Sequence, residues 1–162
     1  MAERQPLEAE AIFKMLVARG VDFVVVGGLA AVLHGSPRNT WDLDLGFATD
    51  AANLTALGNV LIELGARLYG IEEDVPFVPD ADTLRRTEIL TLSTDLGKVD
   101  LLTRPQGAPR YELLREHAVA KDIDGVRVLI ASIPDLIAMK SAAGRPKDLA
   151  DIAELEAIQR LS

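Results

Sequence analysis

Apolar residues in the first third of the chain follow two different periods. Across residues 7–20 they recur every three or four positions up to a terminal glycine, which predicts a helix. A continuous apolar run over residues 21–26 predicts a buried strand that ends at Gly27-Gly28. A short apolar segment, residues 29–33, predicts a short helix. A Gly/Ser/Pro turn then leads to a second extended run over residues 41–47.

The next segment begins with a clear helix and then loses its period. Thr49 or Asp50 can cap a helix with apolar residues at helical spacing, and Gly65 stands where it would end. Residues 67–86 are acidic and are interrupted by glycine and proline. They predict a loop with one short strand or one helical turn, and the acidic positions 72–82 predict a solvated surface or a face for a basic partner.

Two hairpins are predicted in the rest of the chain. Residues 88–94 and 98–102 read as strands joined by a turn that contains glycine. Residues 119–123 and 126–130 flank Asp124-Gly125, which is a strong signal for a type I′ turn. In both hairpins the residues between the two predicted strands are therefore ones that favour a tight turn.

Three helices complete the predicted elements, over residues 111–117, 134–143 and 147–161. Gly144 stands at the end of the second of them, and Pro146 opens the third. The last helix is expected to bury a side made of Leu149, Ile152, Leu155, Ala157 and Ile158.

Composition narrows the classes of protein that these elements can form. A chain of 162 residues with 49% hydrophobic residues is most simply one globular domain. The formal net charge of -8 opposes binding of nucleic acid by the whole surface, although a local basic groove stays open. The chain has no cysteine, which excludes disulfides, thiol catalysis and cysteine-ligated zinc. With no apolar signal region and no long apolar run, a soluble cytoplasmic protein without membrane partners is expected.

Asp42 and Asp44 are unusual in a predicted strand, because aspartate is disfavoured in strands. Side chains alternate across a strand, so both carboxylates point to one face, about 7 Å apart. Two like charges side by side raise the free energy unless a cation lies between them. Alternatively, both residues lie on the wetted face of an antiparallel sheet.

Two further features would complete a site around these carboxylates. If the hairpin pairs beside residues 41–47, Asp100 joins Asp42 and Asp44 in a cluster that suits Mg²⁺. Gly27-Gly28, between a buried strand and a helix, offers backbone N–H groups for a phosphate, although such a pair is more often a plain turn.

The same residues resemble a known superfamily. Gly27-Gly28, a helix, Arg38-x-Thr40-x-Asp42-x-Asp44 and a later Asp100 look like the DNA polymerase beta-like nucleotidyltransferases. The tail resembles the closing motif of the abortive-infection toxins of bacterial toxin–antitoxin systems, through Lys140, Gly144, Arg145, Pro146, Lys147, Asp148, Asp151 and Ile152.

The resemblance implies a minimal nucleotidyltransferase fold of the α/β (α+β) class. It consists of a small mixed sheet flanked by helices, with helices at the C-terminal end. Residues 1–162 would form one domain, with a catalytic core over 1–110 and a hairpin and helices over 111–162.

The resemblance also implies the chemistry. Asp42, Asp44 and Asp100 would be the catalytic residues and would bind two Mg²⁺ or Mn²⁺ ions. A nucleoside triphosphate would be held by Gly27, Gly28, Arg38, Thr40, Lys140, Arg145 and Lys147, with Asp148 and Asp151 fixing the cations among them. The nucleoside monophosphate would pass to an RNA or protein hydroxyl, and a cognate antitoxin is an expected partner.

Several alternatives stay open at this stage. The usual second residue of the glycine motif is serine, and Gly28 lacks that hydroxyl, so a catalytically silent binding or assembly module is the second hypothesis. An α/β domain without nucleotide is the third. Lys140, Arg145 and Lys147 can also serve a helix dipole or pair with nearby acids. His34 favours packing or capping, and Trp41 favours a core or interface position over stacking on a base.

Overall fold

The computed structural model describes residues 5–70 and 77–162, and its centre is a seven-stranded sheet. The strands are β1 (Phe23–Val26), β2 (Asp42–Phe47), β3 (Arg67–Leu68), β4 (Ile89–Thr94), β5 (Gly97–Leu102), β6 (Val119–Ile123) and β7 (Val126–Ile130). The helices are α1 (Ala9–Ala18), α2 (Gly27–Leu33), α3 (Ala51–Glu63), α4 (Ala81–Arg86), α5 (Tyr111–His117), α6 (Ile133–Ala143) and α7 (Pro146–Leu161).

The sheet is mixed, with strand order β3-β4-β5-β2-β1-β7-β6. Strand β2 pairs antiparallel with β1 and parallel with β5, so the strand that carries Asp42 and Asp44 lies at the centre. The hairpin β4–β5 therefore pairs beside β2, which is the condition under which Asp100 joins Asp42 and Asp44. A mixed sheet flanked by helices, with a helical C-terminal end, confirms the predicted fold class.

The core forms because the apolar faces of the helices meet the buried strands. Strand β1 is buried along its whole length, which explains its continuous apolar run. Helix α1 buries Ile12, Phe13 and Leu16, and the Phe13 ring stacks on that of Phe23 with 6.2 Å between centroids. Burial of this kind is the main stabilising term in a domain of this size.

Turns and caps follow the sequence closely. The Asp50 carboxylate accepts a hydrogen bond from the backbone N–H of Asn53, and it caps α3 as one of the two predicted candidates. Asp124 and Gly125 have φ values of 51° and 86°, the pattern of a type I′ turn. Short-range chemistry thus fixes these boundaries within a residue or two.

Three expectations need correction or extension. Residues 67–86 contain both a short strand, β3, and a helix, α4, while positions 71–76, including part of the acidic stretch, lie outside the described residues. Leu149 was predicted to be buried on α7, but it is 68% exposed, because this helix turns Asp148 and Asp151 inward instead. Trp41 is 40% exposed and so lies outside the core. Within the described residues, no helix is both long and apolar enough to cross a membrane.

Candidate active site

The pairing of β2 with β5 brings the predicted carboxylates together. The register places Asp44 directly opposite Asp100, and it places Asp42 opposite Lys98. Side chains two positions apart on a strand share a face, so all four residues lie on one face of the sheet. Two of the three predicted acids are therefore direct cross-strand neighbours, and the third faces a lysine.

Asp44 and Asp100 are held in an unusual polar environment. Oδ1 of each carboxylate is buried and has no hydrogen-bond partner. Burial, followed by the negative charge of Asp100, raises the pKa of Asp44 from 3.8 to about 7. A buried acceptor without a partner is costly, which makes this pair a place where a ligand would lower the free energy.

Gly27 allows Asp44 to occupy this position. Residue 27 has a φ of 70°, a conformation that favours glycine, and a Cβ there would overlap the Oδ2 atom of Asp44. Helix α2 begins at Gly27, and the N-cap residue Val26 has no side-chain oxygen to bond the first N–H groups. The glycine turn and the carboxylate are therefore packed against each other, with backbone N–H groups beside them.

The donor set at this point suits a hard cation. Mg²⁺ prefers carboxylate oxygens, and the free Oδ1 atoms of Asp44 and Asp100 supply two of them. Asp42 is engaged differently, because its Oδ2 lies 3.4 Å from Lys98 Nζ. Across residues 5–70 and 77–162, no group of three or more His, Asp or Glu side chains is arranged to hold a metal ion. Asp44 and Asp100 thus fit Mg²⁺, whereas Asp42 would first have to leave Lys98.

A small cavity of about 150 Å³ collects four of the predicted nucleotide-binding residues. Gly28, Arg38, Thr40 and Lys140 all line it, together with Asn39 and three residues of α7. The Thr40 hydroxyl donates a hydrogen bond to the carbonyl of Asp42, at 3.1 Å, so this cavity is linked to the acidic strand. Lys140, which is distant in sequence, therefore lines the same cavity as Gly28 and Thr40.

An ion-pair network on α7 forms the far wall of this cavity. Asp151 pairs with Arg38 and with Lys140, the latter at 3.0 Å. Asp148 accepts a hydrogen bond from Arg145 Nε at 2.8 Å, and this bond lowers the pKa of Asp148 to about 2. Asp148 and Asp151 are both buried, so the two acids hold the cationic side chains in place.

Of the three remaining predicted nucleotide-binding residues, Gly27 packs against Asp44, whereas Arg145 and Lys147 lie outside the small cavity. Arg145 is bound to Asp148 and does not line the cavity. Lys147 is exposed, lies outside the cavity and has no ion pair with a described acid. Their roles toward a nucleotide remain predictions.

Two residues of this region, Lys98 and Glu154, were not assigned to the site from the sequence. Lys98 shares the face of Asp100, and simple strand alternation identifies it as a neighbour of the acids. Glu154 binds Ser36 and Arg38, which joins α7 to the loop before β2. Glu154 follows Asp151 by three positions on one helix, so helical spacing was the available signal.

The seven-stranded mixed sheet flanked by helices is consistent with a nucleotidyltransferase fold. Residues 8–162 match the family described as "Nucleotidyltransferase of unknown function (DUF6036)". The chain belongs to this nucleotidyltransferase family, which confirms the superfamily resemblance. No curated protein sequence matches it.

Solved structures of related shape support the same fold. The lincosamide antibiotic adenylyltransferase LnuA, bound to lincomycin, has 17% identity and a TM-score of 0.65, covering 96% of this chain and 99% of that chain. A nucleotidyltransferase-like antigenic protein from Paracoccidioides brasiliensis has 21% identity and a TM-score of 0.59, with 94% and 74% covered. ANT(2″)-Ia, in complex with adenylyl-2″-tobramycin, has 16% identity and a TM-score of 0.55, with 93% and 90% covered.

Proposed function

We propose that this protein transfers a nucleoside monophosphate from a nucleoside triphosphate to a hydroxyl group, with Mg²⁺ or Mn²⁺ as cofactor. The observation that carries the proposal is the Asp44–Asp100 pair, whose buried Oδ1 atoms lack hydrogen-bond partners. The Asp44 side chain also packs against the Gly27 turn through its Oδ2 atom. Bound at these carboxylates, two divalent ions would neutralise charge on the phosphates and on the entering and leaving oxygens.

The residues of the chain take separate parts in the proposed reaction. The N–H groups at Gly27 and Gly28 hold the terminal phosphates, and Arg38 and Lys140 balance their charge from the small cavity. The acceptor oxygen attacks the α-phosphorus, and its proton passes to the Asp100 carboxylate. The bond from the α-phosphorus to the bridging oxygen breaks, and pyrophosphate leaves with the electron pair.

The acceptor is proposed to be an RNA or protein hydroxyl, in a toxin that a cognate antitoxin restrains. Support comes from the toxin-like tail, whose Lys140 and Asp151 form one wall of the cavity beside Gly28. A small-molecule acceptor is the second candidate, because the chain covers 99% of the antibiotic adenylyltransferase LnuA.

The test is transfer of label from each α-labelled nucleoside triphosphate into the RNA, protein and small molecules of a bacterial lysate. Label that requires Mg²⁺ and disappears in Asp42→Ala/Asp44→Ala supports the proposal and identifies the acceptor class. Nucleotide binding without transfer supports the silent binding module instead. Absence of both binding and transfer contradicts a nucleotide function.

The toxin role has its own test. Expression of the wild type in a bacterial host is expected to stop growth, and expression of Asp42→Ala/Asp44→Ala is expected to leave growth unchanged. Equal growth of the two strains, at equal protein levels, would contradict the toxin role without touching the transfer reaction.

A further inference from the structure

A second and larger cavity lies on the same face of the sheet as the paired acids. Its volume is about 660 Å³, within the usual range for a small-molecule site. Gly46 and Leu102 line it, and they are cross-strand neighbours two positions beyond Asp44 and Asp100 on their strands. Two residues along a strand span about 7 Å, so a molecule in this cavity lies close to the acids.

Three arginines surround this cavity from three different elements. Arg85 lies in the last turn of α4, Arg104 follows β5, and Arg110 is the N-cap residue of α5. All three are exposed, and none forms an ion pair with an acid in the described part of the chain. Glu112 also lines the cavity, which leaves an excess of positive charge there.

This arrangement is unexpected for a protein of net charge -8. Most other cationic side chains around the acidic face are paired, as Arg38, Lys98 and Lys140 are. Unpaired guanidinium groups that converge on one cavity repel one another, and an anion between them would remove that repulsion.

The wall that carries two of these arginines is fixed in place. Between Arg104 and Arg110 the chain turns through Gly107, which has a φ of 82°. A Cβ at this position would lie 2.6 Å from the carbonyl oxygen of Ala138, so the loop packs closely on α6. The loop between these two arginines is therefore packed against α6.

Given the proposed function, on which this inference rests, we propose that the larger cavity binds a phosphate group of the acceptor. Guanidinium groups bind phosphate through paired hydrogen bonds, and three of them suit a phosphate monoester or diester. The acceptor is then a hydroxyl compound that carries phosphate, supplied either by a free sugar phosphate or by the end of a nucleic acid. A polycationic acceptor such as an aminoglycoside would be repelled.

The experiment compares Arg104→Gln/Arg110→Gln with Arg127→Gln/Arg160→Gln. Both variants lose two exposed arginines that have no ion pair among the described residues, but only the first pair lines the cavity. The probes are ribose 5-phosphate, ribose, and a short RNA with a free 3′-hydroxyl, each titrated against the protein with Mg²⁺ and nucleoside triphosphate present.

We expect binding of ribose 5-phosphate or of the RNA, but not of ribose, and the probe that binds identifies the source of the phosphate. In Arg104→Gln/Arg110→Gln the affinity should fall at least about tenfold, whereas the control pair should keep it. If neither probe binds, or both variants bind alike, the inference is wrong.

Binding of the donor nucleotide distinguishes failure of the acceptor inference from failure of the proposed function. Binding of Mg²⁺ and nucleoside triphosphate should be the same in both variants and in the wild type, which also shows that they fold. Intact nucleotide binding and transfer with no effect of Arg104→Gln/Arg110→Gln overturns the acceptor inference alone. Loss of nucleotide binding in the wild type overturns the proposed function.

Discussion

Asp44 and Asp100 stand opposite each other on the parallel strands β2 and β5, and one oxygen of each is buried without a hydrogen-bond partner. Two like charges in this position are stable only when a proton or a cation is shared with them. The stability of the protein should therefore depend on pH and on the concentration of divalent ions. Both dependences can be measured by thermal unfolding.

The first prediction concerns pH in the absence of divalent ions. The folded-state pKa of Asp44 is about 7, above its ordinary value of 3.8, so its protonated form favours the folded state. This stability is fully present below the ordinary pKa and is lost as pH rises through about 7. At roughly 1.4 kcal/mol per pKa unit, the free energy of unfolding should fall by a few kcal/mol across that window.

Asp44→Asn is the matched control for the pH prediction, because its amide does not ionise. Thermal unfolding in a chelator should show a midpoint that falls with pH in the wild type and stays nearly flat in Asp44→Asn. If the unfolding midpoint depends on pH in the same way in both proteins, ionisation of Asp44 does not destabilise the folded state, and the prediction is wrong.

The second prediction uses the close contact at Gly27. In Gly27→Ala the new methyl group overlaps Oδ2 of Asp44, and a φ of 70° is strained for alanine by about 1–2 kcal/mol. We expect a lower unfolding midpoint and loss of nucleotide transfer. Gly28→Ala is the control, since a Cβ there lies 3.5 Å from Thr40 Oγ1 and meets only ordinary contact. Similar loss in both variants would contradict a specific role for the Gly27–Asp44 contact.

The third prediction restores the serine of the superfamily motif. Gly28→Ser fits the available space, and its hydroxyl can add one hydrogen bond to a bound phosphate. One neutral hydrogen bond corresponds to a gain of roughly 2- to 10-fold in nucleotide affinity, to be measured by calorimetry with Mg²⁺. Unchanged or weaker binding in a folded variant would place the phosphates away from Gly28.

The fourth prediction separates two lysines of the tail. Lys140 lines the small cavity and pairs with Asp148 and Asp151, whereas Lys147 is exposed outside it. Lys140→Met should weaken nucleotide binding about tenfold or more and also lower the unfolding midpoint, because it leaves two buried acids short of a partner. Lys147→Met removes the same charge and should change neither quantity. If Lys140→Met and Lys147→Met weaken nucleotide binding equally, Lys147 also contacts the nucleotide and the prediction is wrong.

Much of this fold could be predicted because local chemistry and global packing agree. The alternation around Asp42 and Asp44, the Asp124-Gly125 turn and the glycine after β1 each predict a local structure, and the protein contains all three. The register of Asp44 with Asp100 was inferred only conditionally, since pairing between distant strands leaves no local signal.

The burial pattern of α7 could not be predicted from local patterns, although the resemblance implied that Asp148 and Asp151 hold nearby cations. Helix α7 was expected to bury Leu149, yet it buries Asp148 and Asp151, because Arg38, Lys140 and Arg145 supply charges that compensate for their burial. Burial of acids in place of a leucine depends on cationic partners, and two of these lie outside α7, on α6 and in the loop before β2. The pairing of Asp42 with Lys98 is similar, because it depends on the register of β5 against β2.

The measurement that tests the central claim most directly is a crystal structure with Mn²⁺ and non-hydrolysable analogues of each nucleoside triphosphate. We predict an anomalous Mn²⁺ peak in contact with Asp44 and Asp100, with Asp42 released from Lys98 and the phosphates at the Gly27-Gly28 turn. No Mn²⁺ at these carboxylates with any analogue, or phosphates bound away from the turn, would contradict the account.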